Sequence, residues 1–307
     1  MRVGVVVDSA CDLPAEYLKQ QDIVVLPINL QLGDEEFLDR RDPRATIGFY
    51  SRYATKRHRA QTAPPTTSQI IEALLDDATR RFDRLLIITI SSTRSKLFEH
   101  VKDAQLPLLN AIRQKRKQEQ VKGSFFLRVH DSKTLFTGQA LLVHEMVRLL
   151  RDKRLAFDEL CRRADVLSDS IHAYLVPRDL YYIRNRASQK GESSVGWLRY
   201  QAGTLMDIKP IIRAHQGDTE TVMTARGFSK AIEKLLERAI IAIDKGLKLN
   251  TIALSYAGNP RVMIKHPQIR DFSDYARGKG IEVLESVMST TAGVYVGPGS
   301  LSLAYAV

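Results

Sequence analysis

Short apolar runs alternate with helix-periodic stretches through the first half of the chain. Residues 2–7 read as a strand, and Asp12-Leu13-Pro14 opens a helix to about Gln20, with Pro14 at a favoured first-turn position. The next strand spans 23–30, where Pro27 marks a bend or a sheet edge. Gly33-Asp34 is a turn signal, and Thr46–Tyr53 reads as a short helix anchored by Ile47, Phe49 and Tyr50. Thr66–Ser68 cap a helix to about Arg81, with Ile70, Ile71, Leu74, Leu75 and Ala78 at 3–4 spacing. A strand follows at 84–90, then a helix from about Ser95 that Pro107 should kink or split. A strand at 125–129 and a strongly amphipathic helix, Gly138–Leu150, complete this half. Such alternation with short joints predicts parallel strands and right-handed crossovers.

The second half has another rhythm. Helices are predicted at Phe157–Ser170 and Phe228–Lys245, with strands at 173–176, 208–212, 251–256, 281–287 and 302–307. The predicted fold is therefore α/β with two domains. Residues 1–155 form an α/β domain with a mainly parallel sheet flanked by helices. Residues 156–307 form an α+β domain with a mixed or antiparallel sheet, and the boundary lies at Asp152-Lys153-Arg154.

Three of the predicted strands stop on small hydroxyl or Asp-Ser corners: Asp8-Ser9, Ser91-Ser92 and His130-Asp131-Ser132. In an open α/β sheet the strand C-termini share one edge, and ligands settle in the crevice there. The corners fit an oxygen-rich ligand head, and they fit helix N-caps as well.

Composition narrows the classes. The chain has 307 residues, 44% hydrophobic and 26% charged, an ordinary soluble balance. No apolar stretch approaches the roughly 18–20 residues of a membrane helix, and the opening residues read as a strand rather than a signal peptide, so the expectation is a cytoplasmic protein without an integral membrane segment. Cys11 and Cys161 belong to no metal-binding pattern. Net charge is +11, with basic runs at Lys56–Arg59 and Arg113–Lys117. Neither run carries interleaved aromatics or a nucleic-acid-binding signature, so both read as solvated surface and no specific nucleic acid is expected. Gly191-Glu192-Ser193-Ser194 lacks the lysine of a phosphate loop, and Gly297-Pro298-Gly299 opens no helix. Asp8 with Asp12, or Asp8 with Asp131 across the sheet, leaves open a phosphoryl- or acyl-transfer enzyme.

Seven blocks stand in a familiar order. They are Val7–Pro14 (VDSACDLP), Val25–Asp42, Thr62–Thr66 (TAPPT), Ile90–Ser95 (ISSTRS), His130–Val143, Leu205–Ile212 (LMDIKPII) and Gly293–Tyr305 (GVYVGPGSLSLAY). Together they resemble the DegV family of bacterial fatty-acid-binding proteins over essentially the whole length. The resemblance implies two domains with a long-chain fatty acid in a tunnel between them, no other cofactor, and a carrier or presenter rather than an enzyme. It implies that Thr62 and Ser92 hydrogen-bond the acyl carboxylate, with Thr93 in the same corner. It also implies a partner that processes the acyl group, such as a separate fatty acid kinase. The chain departs from the pattern at three places. Tyr295 replaces the histidine before Gly-Pro-Gly, Arg184–Ala187 replaces a Gly-Gly-Arg turn, and Ala63-Pro64-Pro65 follows Thr62. Tyrosine can donate a hydrogen bond there but gains no charge near neutral pH. The Tyr295 side chain is expected either toward the head-group crevice or in the core as a strand residue.

Overall fold

The computed structural model describes residues 2–56, 60–151, 155–189 and 207–307. The predicted boundary at 152–154, most of the Lys56–Arg59 run, the Gly191–Ser194 segment and Leu205-Met206 lie outside them. The first half runs β1 (Val3–Asp8), α1 (Ala15–Gln20), β2 (Val24–Leu26), β3 (Ile28–Leu32), β4 (Glu35–Asp39), α2 (Pro43–Arg52), β5 (Ala60–Ala63), α3 (Thr67–Arg80), β6 (Arg84–Thr89), α4 (Leu97–Gln118), β7 (Phe126–Asp131) and α5 (Thr137–Leu150). The second runs α6 (Phe157–Ser168), β8 (Ile171–Val176), α7 (Leu180–Gln189), β9 (Ile208–His215), β10 (Asp218–Arg226), α8 (Phe228–Lys245), β11 (Thr251–Tyr256), α9 (Pro260–Ile264), α10 (Pro267–Gly278), β12 (Glu282–Val287), α11 (Thr290–Val296) and β13 (Leu301–Ala306).

The fold is α/β, with the predicted parallel sheet in the first half, ordered β2-β1-β6-β7. A six-stranded sheet in the second half is ordered β10-β9-β8-β13-β11-β12. It is mixed: only β11 and β12 pair parallel. The sequence reading did not include a third, antiparallel sheet, β4-β3-β5. Its outer strands β4 and β5 are short and β4 is largely exposed, so those two lack a clear apolar alternation.

Pro27 explains how that sheet begins. The single strand expected over 23–30 is two strands in two sheets, β2 at the edge of the parallel sheet and β3 at the centre of the small one. Proline has no N–H to continue a ladder, so the chain leaves one sheet there and enters the next. Pro107, by contrast, does not split its helix, and α4 continues as one element. Both Pro107 and Asp103, whose carbonyl loses its partner, are on the exposed face, where water takes the hydrogen bond. The Arg113–Lys117 run is not wholly solvated. Arg116 is buried and donates to the carbonyls of Thr79, Phe82 and Gly123, closing the end of α3.

Helix α5 is buried on every side from Thr137 to Val147, not amphipathic as predicted. It lies between the parallel sheet, touching Val5, Val7, Leu86 and Ile88, and the mixed sheet, touching Ala173, Ala253 and Ala304. Small residues on the mixed sheet let the helix approach closely. A Cβ on Gly138 would sit 2.1 Å from Thr134 Oγ1 and 3.0 Å from Ala173 Cβ. Gly138→Ala should therefore destabilise the protein by about 1–3 kcal/mol through overpacking. A urea midpoint equal to the parent's would show that the helix can shift freely.

Candidate functional site

Strands β1, β6 and β7 are parallel neighbours, so the three hydroxyl corners do converge on one edge. Their polar groups are largely consumed by one another. Asp8 Oδ2 accepts from the Ile90 N–H at 2.6 Å and from Gln139 Nε2 at 3.0 Å, and its Oδ1 accepts from the Ala10 N–H at 3.0 Å. Asp131 Oδ1 accepts from the N–H groups of Ser92 and Lys133, and its Oδ2 accepts from Ser92 Oγ at 2.5 Å. Thr93 Oγ1 donates to the Gly217 carbonyl at 2.6 Å and lies 3.0 Å from Ser91 Oγ. The Gly217 N–H donates to the Lys133 carbonyl at 2.7 Å. The tip of the β9–β10 hairpin is thus strapped across the β6 and β7 corners. Asp8 and Asp131 flank β6 two strand spacings apart, about 10 Å. Each carboxylate is held by its own donors, which is a tie between loops rather than a shared metal site. Among the described residues no three His, Cys, Asp or Glu side chains group to hold a metal.

Burial pushes the Asp8 carboxyl up to about 6, against the lowering effect of its donors. A carboxyl raised on folding binds its proton more tightly in the native state. Its stabilising contribution is therefore complete below about pH 4 and is lost as pH rises through about 6. The stability difference between the parent and Asp8→Asn should shift by about 2–3 kcal/mol, against the parent, between about pH 4 and pH 6.5. Parallel pH profiles for the two proteins would mean that Asp8 titrates alike folded and unfolded.

The mixed sheet is joined to the first half by a second buried network. Asp12 Oδ2 accepts from Ser255 Oγ at 2.6 Å, its Oδ1 accepts from the Ser289 N–H at 2.8 Å, and its carbonyl accepts from Ser286 Oγ at 2.5 Å. Arg41, buried beside it, donates through Nη2 to the carbonyls of Leu13 at 2.9 Å and Val287 at 3.0 Å. Asp39 Oδ2 accepts from both the N–H and the hydroxyl of Thr291, at 2.9 and 2.8 Å. Burial raises the Asp12 carboxyl, and the Arg41 guanidinium opposes that rise. Asp12 was read as a helix opener or metal partner, and Arg41 was not singled out. The only sequence signal for Arg41 was its place inside the Val25–Asp42 block.

Of the four expected ligand residues, Thr62 and Tyr295 meet directly. Thr62 sits on β5, opposite Leu30 of β3. Its Oγ1 lies 2.8 Å from Tyr295 Oη, across 233 residues of chain. Tyr295 is on helix α11, which replaces the strand or turn expected there. The β-branched residues Thr290, Thr291, Val294 and Val296 hide that helix from propensity. The Ser289 side chain caps it by accepting from the Ala292 N–H. Tyr50 anchors the start of α11, its hydroxyl reaching the carbonyls of Met288 at 3.1 Å and Ser289 at 3.0 Å. A Cβ on Gly293 would come within 2.4 Å of that hydroxyl, so glycine is what lets the helix rest on Tyr50. Near the Thr62–Tyr295 pair, Phe49, Tyr53 and Ala60 from the first half and Tyr182, Gly293 and Val294 from the second line a narrow cleft whose free space is about 10 Å³, room for roughly one water. Arg184 and Asn185, expected in place of a turn, are in helix α7, where Asn185 also lines the cleft. Ser92 and Thr93 do not join the pair through their hydroxyls, which are committed to Asp131 and Gly217.

One arrangement imitates a catalytic triad. His130 Nδ1 is 3.0 Å from Asp165 Oδ1, and its Nε2 is 2.8 Å from Ser168 Oγ. Ser168 is fully buried and donates to the Ala164 carbonyl at 2.9 Å. No substrate carbonyl can reach it, so the trio is a clamp between β7 and α6.

The family model described as "Uncharacterised protein, DegV family" matches residues 2–307. The chain belongs to the DegV family. A DegV domain-containing protein of Xanthomonas axonopodis pv. citri is 37% identical over 307 residues, covering 100% of this chain and 98% of the relative. Among solved structures, the chain is similar to DegV, a fatty acid binding protein from Bacillus subtilis. There the TM-score is 0.78 and the identity 18%, with 100% of this chain and 99% of that one covered. It is also similar to the Streptococcus pneumoniae Fatty Acid Kinase (Fak) B3 protein loaded with linoleic acid, with a TM-score of 0.73, 18% identity and coverage of 100% and 99%. The shared DegV fold thus extends over both sheets and the helix between them.

Proposed function

We propose that this DegV-family chain binds a long-chain fatty acid between its two halves, residues 1–155 and 156–307, and carries or presents it without acting as an enzyme. The observation that carries the reading is the hydroxyl pair Thr62–Tyr295, 2.8 Å apart near a narrow cleft that both halves line and that an acyl chain would have to widen. A carboxylate placed there can accept from both hydroxyls once they turn away from each other, trading their mutual hydrogen bond for two to a charged acceptor, each worth about 1.5–3 kcal/mol. The acyl chain along Phe49, Val294 and the tyrosine rings supplies the larger share, at about 0.8 kcal/mol per buried methylene before ordering costs. Ser92 and Thr93 fix Asp131 and the Gly217 turn, and their hydroxyls are committed there rather than to the ligand.

The solved relatives described above, named for fatty acid binding and for a fatty acid kinase component, support this reading. Among the described residues no helix is long and apolar enough to cross a membrane. The reading places the protein in the cytoplasm, handing its ligand to a separate fatty acid kinase or another acyl-processing protein. Delipidated protein titrated with palmitate and oleate in a calorimeter should show saturable uptake at one site per chain. Failure to take up either acid would defeat the proposal.

A further inference from the structure

The outer face of the mixed sheet carries a feature that fatty acid binding does not use. Along β8 the side chains alternate. Ile171 and Ala173 face α5, whereas Tyr174 and Val176 face α8 together with His172. The registers of β8 with β9 and β13 set His172 between His215 and Tyr305, and Tyr174 beside Arg213. The two imidazoles stack at 3.9 Å between centroids and 10° between planes. Helix α8 brings Arg238 over this row, its Nε donating to Tyr174 Oη at 3.1 Å. Lys248, just past that helix, is pinned by its N–H to the Ala306 carbonyl at 2.9 Å, and its Nζ donates to Ser170 Oγ at 2.8 Å.

Arg213, Arg238, Lys248, His172 and His215 therefore gather on one patch. Arg213 is paired with the carboxylate of Glu220. Among the described residues Arg238 and Lys248 form no ion pair. His172 Nδ1 is shut off from solvent and has no hydrogen-bond partner. Burial, followed by the positive surroundings of His215, Arg213, Arg238 and Lys248, pushes the His172 imidazole down to about 4. With Arg213 paired to Glu220, Arg238 and Lys248 leave the patch with a net positive charge, and a multiply charged anion would offset it. His215 Nδ1 is held by the Ile171 carbonyl at 2.9 Å, so the stacked rings serve as close neighbours of the cations rather than as a chelating pair. Guanidinium and ammonium groups are the usual partners of phosphate oxygens.

We propose that this patch is a binding site for a phosphate group, supplied either by a small phosphate anion or by a phospholipid headgroup. Imidazole signals of the full-length protein would be followed by NMR during titration with inorganic phosphate and with pyrophosphate, at neutral pH and constant ionic strength. Flotation with phosphatidylcholine vesicles, with and without phosphatidic acid, forms the second arm. The expected result is a saturable shift of the His172 and His215 signals. Arg238→Gln with Lys248→Gln should weaken it about tenfold or more, as for two charge-assisted hydrogen bonds lost. Lys248→Gln alone removes an exposed side chain, so it keeps the test valid should the double variant fold poorly. A shift with phosphate identifies a small anion. Flotation that requires phosphatidic acid and is lost in the variants, without a phosphate response, identifies a headgroup. Silence in both arms, or a response that chloride reproduces or the variants retain, overturns the proposal. Thr62→Val should leave the phosphate response unchanged, which separates this site from the acyl cleft.

Discussion

Asp12→Ala is expected to lower the unfolding free energy by about 2–4 kcal/mol, the cost of leaving two buried hydrogen-bonding groups unsatisfied. The substitution would strand the Ser255 hydroxyl and the Ser289 N–H, both buried and both now held by the carboxylate. It would also remove a carboxylate that interacts electrostatically with the buried Arg41 guanidinium. These groups come from the loop after β1, from β11 and from the start of α11, so the loss falls on the joint between the halves. Urea unfolding measures it directly. A loss below about 1 kcal/mol, the size of an ordinary surface change, would show that water replaces the carboxylate and that the network is not a structural joint.

The largest expected change in binding comes from Thr62→Val combined with Tyr295→Phe. Both substitutions keep the shape of the side chain and remove only its hydroxyl. If the two hydroxyls receive the carboxylate, fatty acid affinity should fall by about 2–4 kcal/mol, roughly 30- to 1,000-fold. Ser92→Ala should cost less than Thr62→Val alone, because the Ser92 hydroxyl is already donated to Asp131. Calorimetric titration of the three variants separates the possibilities. If Ser92→Ala proves as damaging as Thr62→Val, the head group lies at the Ser92–Asp131 corner, the role the family resemblance implies for that serine.

Legibility followed the range of the interactions. Helix α8 and strand β11 occupy the predicted residues, because an amphipathic stripe or a buried apolar run is a local signal. The cap at Thr66–Ser68 was likewise visible as a start signal for α3, and the structure completes it as a capping box with Gln69. Helices α10 and α11 were missed for opposite reasons. In α10 a proline at the first position resembles a breaker, and in α11 β-branched residues resemble a strand. Strands β4 and β5 were missed because each is stabilised by β3 rather than by its own pattern.

By itself, the sequence determined the alternation of elements, the parallel sheet of the first half, the mixed sheet of the second and the family. These follow from periodicity and from motifs a few residues long, which the chain carries wherever it folds. Only the tertiary structure decided how the polar residues are spent. Thr62 meets Tyr295 across 233 residues. Ser92 turns to Asp131, Asp12 joins the halves through Ser255 and Ser289, and α5 is buried on both sides. A hydroxyl or carboxylate can bind a ligand, a backbone amide or another side chain with similar chemistry. Its partner is chosen by which strands and helices the fold brings within 3 Å, and spacing along the chain carries no record of that.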